Sequence, residues 1–186
     1  MRKLALIVIG VVFLALPALA EDCAPVEVFS GYSFLSIDTK GVSSRQGANG
    51  WEAGLAMRLD KSLAVEFEGS GYYTTYASAA GISNVRDFYL LAGPRVGFKS
   101  IFVRALFGGD HLTDNTFSSS VFAHGFAGSI GGGVNRRVAG PWSIRTSVDY
   151  VFSRHSVFNS TPFTQNNFRT SVGLSYSFGR TPGDVY

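Results

Sequence analysis

Along most of this chain, apolar and polar positions alternate one by one. From Trp51 the run sets Trp51, Ala53, Leu55, Met57 and Leu59 on one side and Glu52, Gly54, Ala56 and Arg58 on the other. The next run sets Leu63, Val65, Phe67 and Tyr73 against Glu66, Glu68 and Ser70. A period of two is the mark of a β-strand with its two faces in different media. The polar side is mostly small residues with a few full charges, which suits a narrow polar interior. The large aliphatic and aromatic side chains then point outward, a placement that lipid favours. The pattern predicts an all-β fold, an eight-stranded antiparallel up-and-down transmembrane β-barrel. A soluble lipocalin-type barrel also has eight strands, but would not rim both ends with outward aromatics.

The predicted strands are 26–37, 51–59, 63–73, 85–98, 101–108, 121–135, 142–152 and 167–178. In the first, Val28, Tyr32 and Phe34 face out, while Phe29 and Leu35 fall on the inner side. Gly131-Gly132-Gly133 weakens the sixth and marks a bend there. The connections alternate in length. Asp60-Lys61-Ser62, Lys99-Ser100 and Arg136 to Gly140 are short; 38–50, 74–84, 109–120 and 153–166 are long. Short periplasmic turns and long external loops are the asymmetry of outer-membrane barrels, which puts both termini in the periplasm. Under this topology Trp51, Tyr73, Phe88, Phe107, Phe122, Phe152 and Phe168 gather at the outer end, and Phe98, Trp142 and Phe178 at the inner end. These are the two aromatic girdles of a membrane barrel.

The N-terminus supports export. Met1-Arg2-Lys3 is basic, Leu4 to Leu16 is apolar, and Ala18-Leu19-Ala20 is a small-x-small cleavage site. Residues 1–20 read as a secretory signal peptide, rather than a retained membrane anchor. Residues 21–178 then form the barrel and 179–186 a short periplasmic tail, with no second domain. Losing Arg2 and Lys3 lowers the formal charge from +3 to +1, and no Lys/Arg cluster remains to bind nucleic acid. Cys23 has no partner for an internal disulfide, and Glu21-Asp22 before it argue against lipidation.

Parity sends Glu52, Glu66, Glu68, Asp87 and Asp149 into the lumen with Arg58, Arg95, Arg104, Arg145 and Arg169. Arginine without lysine suits forked pairing in a confined site. If Phe98 opposes Ile101, Arg95 opposes Arg104, and Glu66 or Glu68 on the next strand supplies the anion between them. If Leu59 opposes Leu63, Arg58 is diagonal to Glu66; if Phe152 opposes Phe168, Asp149 is diagonal to Arg169. The same ten residues serve a structural network that fills the lumen or a gated ion path.

Little else suggests chemistry. A rim hydrolase acting on lipid A would need a histidine, a serine and an acid within reach. His155 and Ser156 are adjacent on a strand end and point opposite ways. Asp110, His111 and Asp114 in loop three could ligate a metal but read rather as solvated loop residues, and no two histidines show metal-ligand spacing along the chain. No enzyme, cofactor or metal is predicted. Loops one and two, rich in Ser, Gly, Asn and Tyr, offer adaptable contact surfaces.

Near the C-terminus, Ser171-x-Gly173-x-x-Tyr176-x-Phe178 resembles the β-signal read by the outer-membrane assembly machinery. It departs from many such signals in the eight residues after Phe178. Gly31-Tyr32-Ser33 and Gly132-Gly133-Val134-Asn135 add weaker matches. Over its mature length the chain resembles the small eight-stranded barrels of the OmpA-like β-barrel superfamily. The resemblance implies a bacterial outer-membrane monomer among lipid and lipopolysaccharide. It implies roles in envelope integrity, slow solute leakage through a small pore, or adhesion.

Replacing the assembly signal, Tyr176→Ala with Phe178→Ala, is expected to leave the protein in the periplasm, where it is degraded. Membrane fractionation with a heat-mobility gel checks this, and normal outer-membrane levels of a heat-resistant form would refute it.

Overall fold

The structure, a computed structural model, describes residues 25–38, 45–78, 81–116, 119–156 and 163–178. The side chains of 76–78, 81–83, 114–116, 119–123, 155–156 and 163 are not among those described. Residues 1–20, Cys23 and the tail 179–186 lie outside the described residues, and with them the predicted signal peptide and tail.

Eight strands follow one another: β1 (Val26–Ile37), β2 (Gln46–Arg58), β3 (Leu63–Ser78), β4 (Gly81–Phe98), β5 (Ile101–Thr116), β6 (Ser119–Ala139), β7 (Trp142–Ser156) and β8 (Phe163–Phe178). Each pairs antiparallel with the next, and β8 returns to β1, so the sheet closes as a barrel. Closure leaves no unpaired edge, the condition for strands to cross lipid. Following cross-strand partners around the barrel leads from Val26 through Met57, Val65 and Pro94, and then through Ile130, Tyr150 and Phe168 to Ser36. One circuit therefore climbs ten residues of β1, from 26 to 36. This stagger tilts the strands and sets the width of the interior.

Alternation in sequence becomes alternation in burial. From Ser143 to Asp149 every odd residue is buried and every even one exposed. Leu90 is 74% exposed, Phe98 72% and Ile101 61%, an outward apolar surface far beyond what a water-soluble chain carries. Rings band both ends. At the turn end, Trp142 and Tyr176 meet edge to face at 4.9 Å, and Tyr176 packs on Phe178 at 4.6 Å. At the other end, Tyr73 meets Phe88 at 5.9 Å and Tyr150 meets Phe168 at 5.6 Å.

Three sequence expectations change. Strands β2 to β8 outrun the predicted ones at the loop end, so segments read as loops are largely paired ladder. There the buried inward positions are small or polar, as at Ala48, Asp110 and Ser153, so the ladder continues without apolar alternation to reveal it. The three glycines of β6 do not break its pairing with either neighbour. They clear space instead: a Cβ on Gly131 would strike Asp149, and one on Gly133 would lie 2.8 Å from the Phe102 ring. Finally, Tyr150, not Phe152, faces Phe168.

The turns are tight. Leu59 N donates to Leu63 O at 2.8 Å and Asp60 N to the same oxygen at 3.1 Å. Between β6 and β7 the register shifts between Arg137 and Ala139, and Gly140 takes φ +53° with nothing within 4 Å of an added Cβ. Only backbone strain therefore opposes a side chain there. Gly140→Ala is expected to lower barrel stability by about 1–2 kcal/mol, measured by urea unfolding in lipid vesicles. No loss would show that the turn relaxes to another conformation.

Candidate functional site

The lumen is filled in layers. Its middle belongs to Arg104 of β5. Nε and Nη2 of this guanidinium donate to the two oxygens of Asp149 at 2.8 and 2.7 Å, a forked pair. Nη1 donates to Glu66 at 2.5 Å and to Glu68 at 2.6 Å, and Nη2 also reaches Ser147 at 3.1 Å. One arginine thus holds three carboxylates from two strands across the barrel. Arg145 donates to Glu66 at 2.8 Å. Arg169 donates to Glu68 through Nη1, and to Asp149 at 3.2 Å through both Nε and Nη2. None of these six side chains is more than 1% exposed. Ions so deeply buried are tolerated only when paired, which is why planar, multidentate arginine occupies these places.

The predicted lumen set separates into parts. Arg95 does oppose Arg104 in register, and Glu66 does stand between them, 3.4 Å from Arg95 Nη1. Arg169 lies directly opposite Asp149, not diagonal to it, because the β7–β8 register is two residues from the expected one. Glu52 reaches Arg104 only at 4.0 Å. Arg58 stands half-exposed at the turn end, away from the central cluster. Asp87 is buried but bonds to Tyr89 at 2.5 Å instead of to an arginine. Glu27 escaped the sequence reading. It pairs with Arg95 at 3.0 Å and Arg145 at 3.5 Å, and accepts from Asn135 at 2.6 Å. The outward Val26 and Val28 on either side were the signal that it faces in.

Aromatic rings floor the ionic layer. Arg145 sits 3.9 Å from the Phe29 centroid and 4.4 Å from that of Phe102, and Arg95 lies 4.5 Å from Phe102. Each guanidinium thus covers an aromatic face while its edge serves carboxylates. Gly54, opposite Phe29, leaves room for that ring. Toward the loop end the lumen turns apolar, with Leu35, Ile37, Tyr72, Tyr89, Leu91, Leu106 and Val151 buried in one cluster. Toward the turn end it opens into a cavity of about 780 Å³ lined by Glu27, Arg58, Lys61, Arg95, Lys99 and Arg137.

Among the residues of the predicted assembly signal, Tyr176 and Phe178 face outward in the turn-end girdle, while Ser171 faces in and bonds to Ser147 at 2.7 Å. Gly173 lies against Gly31 of β1, where a Cβ would meet backbone. These four residues therefore sit in the β8–β1 closure itself. The side chains of His155 and Ser156, and the loop segments 39–44, 79–80, 117–118 and 157–162, lie outside the described residues.

Asp149 and Arg169 are direct partners that share Glu68 and Arg104 as neighbours. Asp149→Asn and Arg169→Gln are each expected to cost about 3–5 kcal/mol, since each leaves the buried cluster of three arginines and three carboxylates with one uncompensated charge. The double change is expected to cost clearly less than the sum. Unfolding in vesicles measures both, and additive losses would remove the pairing.

The comparisons agree with this geometry. The model of the outer membrane protein beta-barrel domain family matches residues 6–178. The fold is similar to Ail, the attachment invasion locus protein of Yersinia pestis, at 12% identity and TM-score 0.59, covering 83% of this chain and 98% of that one. Neisserial surface protein A is similar at 11% identity and TM-score 0.55, covering 81% and 96%. The N-terminal barrel domain of Pseudomonas aeruginosa OprF is similar at 12% identity and TM-score 0.51, covering 84% and 98%. No curated protein matches the sequence itself. A family match across nearly the whole chain, a closed eight-stranded barrel and an apolar outer surface lead to one conclusion: this chain belongs to the outer-membrane β-barrel family and resides in the bacterial outer membrane.

Proposed function

We propose that this barrel is a structural, non-catalytic component of the envelope whose lumen is plugged and does not conduct. The observation that carries the reading is the Arg104 hub. Three carboxylates and two further arginines close around it at the barrel centre, with no side chain of the six more than 1% exposed. The apolar cluster of Leu35, Tyr72, Leu91 and Leu106 caps this hub on the loop side. An ion entering from the periplasmic cavity would have to separate several buried pairs at once, each costly to break. A small diffusion pore would use the same cavity and network, and conductance separates the two readings.

Partners follow from the surface. Closure of β8 on β1 leaves no free edge for another chain, which supports a monomer. The outward Val, Leu, Ile and Phe meet lipid tails. Above the outer girdle Arg86, opposite the outward Tyr73, and Arg154, opposite the outward Phe126, are exposed. Exposed Arg45 lies 5.1 Å over the Phe168 ring. Cations at that height suit the phosphates of lipopolysaccharide. Tyr176, Phe178 and the Gly173–Gly31 closure are the features on which the assembly machinery would act.

The test is planar-bilayer recording of the refolded protein. The expected result is no steady current, and no more than small changes with Asp149→Asn or Arg169→Gln. Large, selective single-channel currents in the unmodified protein would replace this reading with the pore.

A further inference from the structure

Two imidazoles meet on the outer surface of β5 and β6. His111 and His124 are 13 positions apart in the chain, yet they are direct cross-strand partners. His111 shares its face with the outward Phe107 four residues earlier, and His124 shares its face with the outward Phe126 two residues later. Phe88 is the other partner of His111. The pair therefore stands at the upper edge of the outer aromatic girdle. The sequence kept these residues apart because spacing along one chain says nothing about ligands brought together across a ladder.

The geometry is specific. The two Nδ1 atoms are 3.2 Å apart, and the ring centroids are 4.5 Å apart with the planes tilted 36°. Two imidazole nitrogens bound to one zinc ion at about 2.0–2.1 Å in tetrahedral geometry would be separated by about 3.3 Å. Both nitrogens already face one another at that spacing. On the far side of the ring, His111 Nε2 lies 3.3 Å from Thr113 Oγ1. With Nε2–H donating to this hydroxyl, Nδ1 keeps its lone pair. This is the outer-shell hydrogen bond that fixes the tautomer of a metal-ligating histidine.

The geometry points to a metal site on the outer rim, in which Nδ1 of His111 and Nδ1 of His124 ligate one zinc, nickel or copper ion. Thr113 positions His111. Imidazole nitrogen selects these borderline ions over calcium and magnesium, which take oxygen. On binding, the ring proton of His124 shifts from Nδ1 to Nε2, so neither imidazole changes its charge. The remaining coordination positions face outward, to water or to a phosphate oxygen. Asp110, beside His111 in sequence, takes no part, because it faces the lumen and is 5% exposed. With two protein ligands and an open side, the site exchanges its metal instead of holding the fold together.

Zinc titration calorimetry on the untagged, folded protein in dodecyl maltoside micelles tests this with no phosphate present. The expected result is saturable binding of one zinc per barrel, reversed by chelator, with none for magnesium. His111→Asn and His124→Asn are each expected to weaken it by about tenfold or more, Thr113→Val several-fold, and the double histidine change to abolish it. Heat-mobility gels verify that each variant remains a folded barrel. Absence of saturable zinc binding would overturn the site, as would one-to-one binding that survives in the folded double variant.

Discussion

The structure depends on one constraint: inside lipid, every backbone N–H and C=O must find a partner within the protein. Eight strands meet it only by closing β8 onto β1, with Val26 against Phe178 at one end and Ser36 against Phe168 at the other. Closure with a climb of ten residues per circuit leaves an interior about as wide as the side chains that line it. The ions at the centre of that interior must be paired, and what covers the outside must be apolar. The charged lumen and the greasy exterior are two consequences of the same closure.

Filling the interior with ions raises a difficulty that the chain solves by geometry. Each buried charge carries a large desolvation penalty, so the ions come as a mesh in which each arginine serves several acids. Arg104 reaches Asp149, Glu66 and Glu68 together, and Arg169 returns to two of the same three. Glycine makes the mesh fit, since Gly131 yields space to Asp149 and Gly133 to Phe102. The stacking of Arg145 between Phe29 and Phe102 then couples the ionic layer to its aromatic floor.

The outer surface is ordered by the bilayer. Aliphatic residues occupy its middle and rings its two edges. Beyond the outer ring band stand Arg45, Arg86 and Arg154, with His111 and His124 at the same height. Rings tolerate the interface because one end of each is apolar and the other polar. The cationic and imidazole groups stand beside these rings, with Arg45 over Phe168 and His111 directly opposite Phe88.

The fold was legible in the sequence because lipid and lumen impose opposite demands on successive residues. Trp51, Leu55 and Phe67 declared one face, and Glu52, Glu66 and Glu68 the other; that alternation alone predicted eight strands, closure and the lumen charges. Strand length was not legible, because beyond the outer ring band Thr74 to Ser78 and Gly109 to Thr116 pair without a sustained apolar alternation. Parity said that Asp149 and Arg169 face inward; only the register made them direct partners, and only the three-dimensional arrangement brought Glu27 to Arg95 and gathered three carboxylates on Arg104. His111 and His124 show the same division, separated in the chain and adjacent across the ladder. A period of two fixes which way a side chain points, whereas the stagger of a closed sheet fixes whom it meets, and that stagger is set by all eight strands together.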